Sequence, residues 1–209
     1  MRKQNHFRRF AAALLTIIMI STLCSPALAA RDDADKGIDL KIAVMSDTHY
    51  LSPNMIKDTS DYTDALNSDR KLLTESSEIN LKLLDAVRED KPDILLVSGD
   101  LTKDGELEGH KEFSARLQQV QKDVPGMKVY VINGTHDIRN ENAKNFNPPD
   151  GKAVPATRTQ PEDFASVYDF VYSDSSIVAR YTPPQGKESG QLSYVAEPCK
   201  GVTLIALDT

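Results

Sequence analysis

The sequence has no tryptophan, two cysteines and four histidines among its 209 residues. Two cysteines cannot build a disulfide-dense scaffold, and four histidines limit any imidazole-rich metal site. Positive charge is also short. The 25 Lys and Arg stand against 31 Asp and Glu, for a net −6, which excludes the broad basic surface that non-specific nucleic-acid binding requires. A glycine-rich phosphate loop, a dinucleotide fingerprint, an internal repeat and a low-complexity tract are all missing. Ser98, Thr102 and Cys199 lack the nucleophile-and-base setting of acyl transfer. What remains is an ordinary globular composition, 40% hydrophobic and 27% charged, of a length suited to one domain or slightly more at about 150 residues per domain.

The first 29 residues read as a secretory signal peptide. Arg2, Lys3, Arg8 and Arg9 precede an uncharged apolar run over 10–24. Pro26 then breaks the run, and Ala27-Leu28-Ala29 supplies small residues for cleavage. The alternative is a membrane anchor left uncleaved, but the strongly apolar core is shorter than the ~20 residues of a spanning helix. Cleavage after Ala29 would remove four positive charges from the net −6 and leave −10. It would also take Cys24, leaving Cys199 alone. The mature chain is thus expected to be secreted or extracytoplasmic, without a membrane span of its own, and acidic enough to attract cations.

Residues 30–39 form a polar leader. A short, mostly buried strand follows at 40–45, then a polar loop. A helix is expected between 70 and 90 with Leu72, Ile79, Leu83, Ala86 and Val87 near helical spacing. A strand over 93–98 comes next, then a helix starting at 105–108 whose apolar face carries Phe113, Leu117 and Val120, then a strand over 128–132. This β-α-β-α-β start predicts a parallel sheet with right-handed crossovers. Residues 139–160 show no periodicity. A helix after Pro161 and strands near 176–181, 192–196 and 202–207 complete the α/β reading.

Ligands of parallel sheets bind beyond the carboxyl ends of the strands, and there the polar residues collect. The first strand is followed by Asp47-Thr48-His49, the second by Gly99-Asp100, and the third by Gly134-Thr135-His136-Asp137. Each motif alone is common at strand-ending turns. Together they bring carboxylates and imidazoles to one sheet edge, a mixed oxygen and nitrogen donor set suited to Zn, Fe or Mn rather than Ca. A calcium loop beginning at Asp100 fails at Thr102 and Lys111. His110, on the second helix, is expected at a solvated or rim position.

Asp47-x-His49, Gly99-Asp100-Leu101-Thr102 and Gly134-Thr135-His136-Asp137 resemble, in order and spacing, the first three motifs of the calcineurin-like metallophosphoesterases. The resemblance implies a four-layer α/β/β/α sandwich, of which this chain would be the N-terminal part. It also implies a site for two divalent ions and the hydrolysis of a phosphoric ester by in-line attack of a metal-activated hydroxide. Asp47 and His49 would bind the first metal, Asp100 would bridge both, and His136 would protonate or stabilise the leaving oxygen. A carboxylate often pairs with that histidine. Asp104 is the nearest candidate, although Lys103 stands at the spacing seen in phosphoprotein phosphatases.

Two departures qualify the resemblance. The family's third motif is Gly-Asn-His, with the Asn amide oxygen on the second metal, and here Thr135 stands in that slot. Asn133, beyond Gly134, is not positioned to substitute. The family's later Gly-His-x-His motif is also absent, since no histidine follows His136. The domain over 40–209 is therefore expected to be truncated. The competing expectation is a degenerate, non-catalytic relative holding at most one weakly bound metal.

Overall fold

Three short apolar segments, each followed by a polar turn, form the parallel sheet on which the site is built. In a computed structural model, which describes residues 37–187 and 189–209, they are β1 (Ile42–Met45), β2 (Ile94–Ser98) and β3 (Lys128–Ile132). They are ordered β1-β2-β3 and parallel throughout, with Val44 opposite Leu96 and Leu96 opposite Tyr130. The expected signal peptide and the leader as far as residue 36 lie outside the described residues.

The polar stretch after β1 holds more order than its composition suggests. A 3-10 turn (Pro53–Met55) is capped by the Ser52 hydroxyl, and helix α1 (Ser60–Ser68) by the Thr59 side chain. Helix α2 (Ser76–Asp90) ends at Lys91, in the left-handed conformation immediately before Pro92. Its buried face differs from the expected one. Ser76, Asn80, Leu84 and Val87 face inward, while Leu72, Ile79 and Leu83 are exposed. Asn80 explains the choice, because its amide donates to the Thr48 carbonyl at 2.9 Å and ties the helix to the loop after β1. Helix α3 (Leu107–Asp123) buries Phe113, Leu117 and Val120 as the periodicity predicts.

Between 139 and 160 a two-residue antiparallel pair, β4 (Lys144–Asn145) with β5 (Val154–Pro155), gives form to the aperiodic region. Helices α4 (Pro161–Val167) and α5 (Asp169–Tyr172) follow. Then β6 (Ile177–Arg180), β7 (Tyr194–Ala196) and β8 (Leu204–Ala206) make a second, antiparallel sheet. Tyr194 joins the two sheets, its hydroxyl donating to the Val131 carbonyl at 3.0 Å and its ring 6.5 Å from that of Tyr130. Both sheets therefore share one core with α2 to α5. The expected burial of β1 holds only for one face. Met45 is buried, but Val44 is 64% exposed, because the second sheet packs on β3 and no described residue covers the outer side of β1. No described helix is long and apolar enough to cross a membrane.

Candidate metal centre

The loops after β1 and β2 run side by side. Asp47 N–H donates to the Gly99 carbonyl, His49 N–H to Asp100 at 3.0 Å, and Tyr50 N–H to Leu101 at 2.8 Å. This parallel zipper continues the sheet past its strands and sets Asp47, His49 and Asp100 at its edge. One ligand atom from each lies within 4.8 Å of the others. All three residues hold positive φ, at 54°, 38° and 48°. A left-handed backbone is costly for a side chain other than glycine, and such residues gather at functional sites. Asp47 also accepts from the Ser46 hydroxyl.

Glycines let the third loop reach this edge. A Cβ on Gly134 would sit 2.3 Å from the Asp100 backbone nitrogen and 2.4 Å from its Oδ1, so only glycine passes there. Gly99 is confined in the same way, since a Cβ there would meet the Gly134 Cα at 2.8 Å. Asp137 then locks the loops together. Its Oδ1 accepts from Leu101 and Thr102 N–H at 2.9 and 3.0 Å, and its Oδ2 from Gly134 N–H at 2.7 Å. Burial pushes its carboxyl up to about 6, against the pull of those three N–H groups. The result holds His136 N–H on Asp100 Oδ1 at 2.8 Å.

His136 lies beside the three donors, its ring 5.2 Å from that of His49 and edge-on to it. Asp104 Oδ1 meets His136 Nδ1 at 2.8 Å, so the weakly indicated carboxylate partner is in place, and Nε2 is left facing away from it. Burial alone would raise the Asp104 carboxyl, but Lys103, His136 and Lys71 outweigh it and hold the group below its ordinary value. The left-handed turn at Gly105 is also enforced, since a Cβ there would meet the His136 and Asp137 carbonyls at 2.8 Å.

His110 corrects the expected rim position. It is fully buried beneath the third loop, with Nδ1 3.0 Å from the Tyr168 hydroxyl and Nε2 3.2 Å from both Thr102 Oγ1 and the Asp137 carbonyl. Desolvation drives its pKa down to about 3, so it is neutral. Helical spacing alone could not find it, because the partners that bury it come from α4 and the loops.

The donors fit one divalent cation. His49 Nδ1 is buried without a hydrogen-bond partner. Burial, reinforced by Lys71, lowers the pKa of His49 and keeps a neutral imidazole ready to ligate. A second cation is less well provided for. Thr135, in the slot of the expected amide, is exposed, with Oγ1 3.5 Å from Asp100 Oδ1. The Asn133 amide nitrogen donates to Asp208 Oδ1 at 2.8 Å, and its oxygen is buried without a partner.

A family model, calcineurin-like phosphoesterase, matches residues 40–199. The chain belongs to that family. No curated protein matches it. The mixed α/β build, with helices on a parallel sheet, agrees with the calcineurin-like fold. The family is metal-dependent, and its membership suggests phosphate-ester substrates.

Proposed function

We propose that this chain hydrolyses phosphate esters, with Asp47, His49 and Asp100 holding a divalent cation and His136 assisting the leaving group. The observation that carries this reading is the convergence of three strand-end loops, which brings the three donor atoms within 4.8 Å of one another, beside an Asp104–His136 pair. Divalent cations, when bound in such a site, lower the pKa of water and neutralise phosphoryl oxygens. Asp104 accepts from His136 Nδ1–H and orients the ring, so that the imidazolium, which carries a proton on both nitrogens, can give its Nε2 proton to the departing oxygen and remain as the neutral Nδ1–H ring. Asp100, held by His136 N–H on one oxygen, has its other oxygen for the cation and is the residue available to a second one. Residues 1–29 would direct export, read out as a mature N-terminus at Ala30.

The test is manganese-dependent hydrolysis of 4-nitrophenyl phosphate by the full chain. Asp100→Asn and His49→Ala should abolish both turnover and tight manganese binding. Asp104→Asn should lower kcat by at least about 100-fold, the range of general acid–base catalysis, with little change in manganese affinity. Turnover that survives chelation or Asp100→Asn would sink the proposal.

Thr135 favours a second reading, a relative that binds one cation without catalysis. Under that reading manganese binds through Asp47, His49 and Asp100 and no ester is cleaved at any metal concentration.

A further inference from the structure

The loop between α1 and α2 carries a lysine that no motif marks, yet it reaches the candidate centre. Leu73, fully buried among Leu51, Tyr62 and Phe146, anchors this loop. Asp69 Oδ1 accepts from Lys71 N–H at 3.1 Å and turns the chain there. The Lys71 ammonium donates to the Lys103 carbonyl at 3.0 Å, and stands 3.2 Å from His136 Nδ1 and 3.7 Å from Asp104 Oδ1. It meets the ring at Nδ1, so it touches His136 and not a group leaving at Nε2. We propose that Lys71 is a positioning residue for His136, holding Asp104 where it can accept from the ring. The assignment rests on the phosphoesterase reading for the role of His136.

Asp104 has two rival claims on its carboxylate. The Lys103 ammonium takes Oδ2. His136 Nδ1–H takes Oδ1 at 2.8 Å, with the Asn140 amide 3.4 Å from the same oxygen. The ring keeps its partner only while Lys103 stays on the other oxygen. Lys71 secures that division, because it pins the backbone carbonyl of Lys103 and its charge attracts Oδ1. While Nδ1–H donates to Asp104, that nitrogen has no lone pair for Lys71, so the ammonium hydrogens are left for the carbonyl and the carboxylate. Asp69 Oδ2 lies 4.0 Å from Lys71 Nζ and 3.9 Å from Lys103 Nζ, and so keeps the two ammoniums side by side. These two carboxylates and two ammoniums balance, and none of the four side chains is more than 22% exposed. Ion pairs so sheltered add little net stability, since lost hydration offsets their attraction. Holding the ring accounts for them better than folding does.

A residue that acts through the His136 acid matters most when the leaving group is a poor one. Phenyl phosphate has such a leaving group and 4-nitrophenyl phosphate a good one. In Lys71→Met the kcat ratio of the nitrophenyl to the phenyl ester should rise about 10-fold, a part of the 100-fold or more that general acid catalysis supplies. Manganese affinity should stay as in the parent. Asp69→Asn, which keeps the turn to Lys71 N–H, should raise the ratio about 3-fold, within the range of a partly exposed ion pair, and it carries the test if Lys71→Met fails to fold. A second measurement needs no turnover: the His136 Nδ1–H resonance of the full chain, seen by proton NMR in the parent, should broaden or exchange faster in both variants. Equal losses on the two esters, or an Nδ1–H resonance as sharp as in the parent, overturns the assignment. If the parent cleaves neither ester, the phosphoesterase reading fails, and the resonance alone decides whether Lys71 holds the ring.

Discussion

Gly134 has no side chain because Asp100 fills the space one would need. Gly134→Ala would force a Cβ to 2.3 Å from the Asp100 nitrogen, so either the third loop lifts or Asp100 turns from the cation. The expected outcome is loss of calorimetric manganese binding by at least about 10-fold, the scale for disturbing groups that orient ligands. Retained affinity would mean that the loops move freely past each other. Thr135→Asn tests the opposite change. It places an amide oxygen beside Asp100, where the threonine hydroxyl now stands 3.5 Å from Oδ1. Manganese-dependent hydrolysis of an aryl phosphate should rise, by about 10-fold or more on the same scale. An unchanged rate would show that this position does not limit catalysis.

Among the elements, α2 is the one whose sequence misleads. Its strongest apolar residues by spacing, Ile79 and Leu83, are exposed, and a polar residue, Asn80, is buried at 1% exposure. Asn80 donates to the Thr48 carbonyl inside the Asp47–His49 loop and to the Ser76 carbonyl at 2.8 Å. Asn80→Leu keeps the volume and removes the donor. A buried carbonyl without a partner costs about 1–3 kcal/mol, to be read from urea unfolding. Ile79→Lys, on the exposed side of the same helix, should change stability by less than about 0.5 kcal/mol. Similar losses for the two would mean that the apolar side of α2, rather than Asn80, faces the core.

For the whole molecule, His110 couples folding to pH. Its folded pKa is about 3 against an ordinary 6.5, so between those values the unfolded chain binds a proton that the folded chain refuses. The contribution of His110 to stability is therefore complete above pH 6.5 and is lost as pH drops towards 3, by up to about 1.4 kcal/mol per unit. Between pH 7 and pH 5 this residue should lower the unfolding free energy by about 2 kcal/mol, and His110→Gln should flatten that part of the curve. A variant whose acid sensitivity matched the parent would place His110 in contact with solvent.

The strands β1 to β3 were legible because a parallel sheet demands short apolar runs closed by polar turns, and the order of those runs fixed Asp47, His49 and Asp100 at one edge. The α3 face was legible because Phe113, Leu117 and Val120 repeat at helical spacing. By contrast, the inward face of α2, the burial of His110 and the Asp104–His136 pair were settled by partners distant in sequence, namely Thr48, Tyr168 and the loop after β3. Side-chain pairing of that kind leaves no periodic signature. The two halves have one physical origin. Local pattern determines which residues leave a strand end together, since backbone sterics and burial act over a few residues. Only tertiary packing decides which polar groups lose their water, and so which hydrogen bonds must form to replace it.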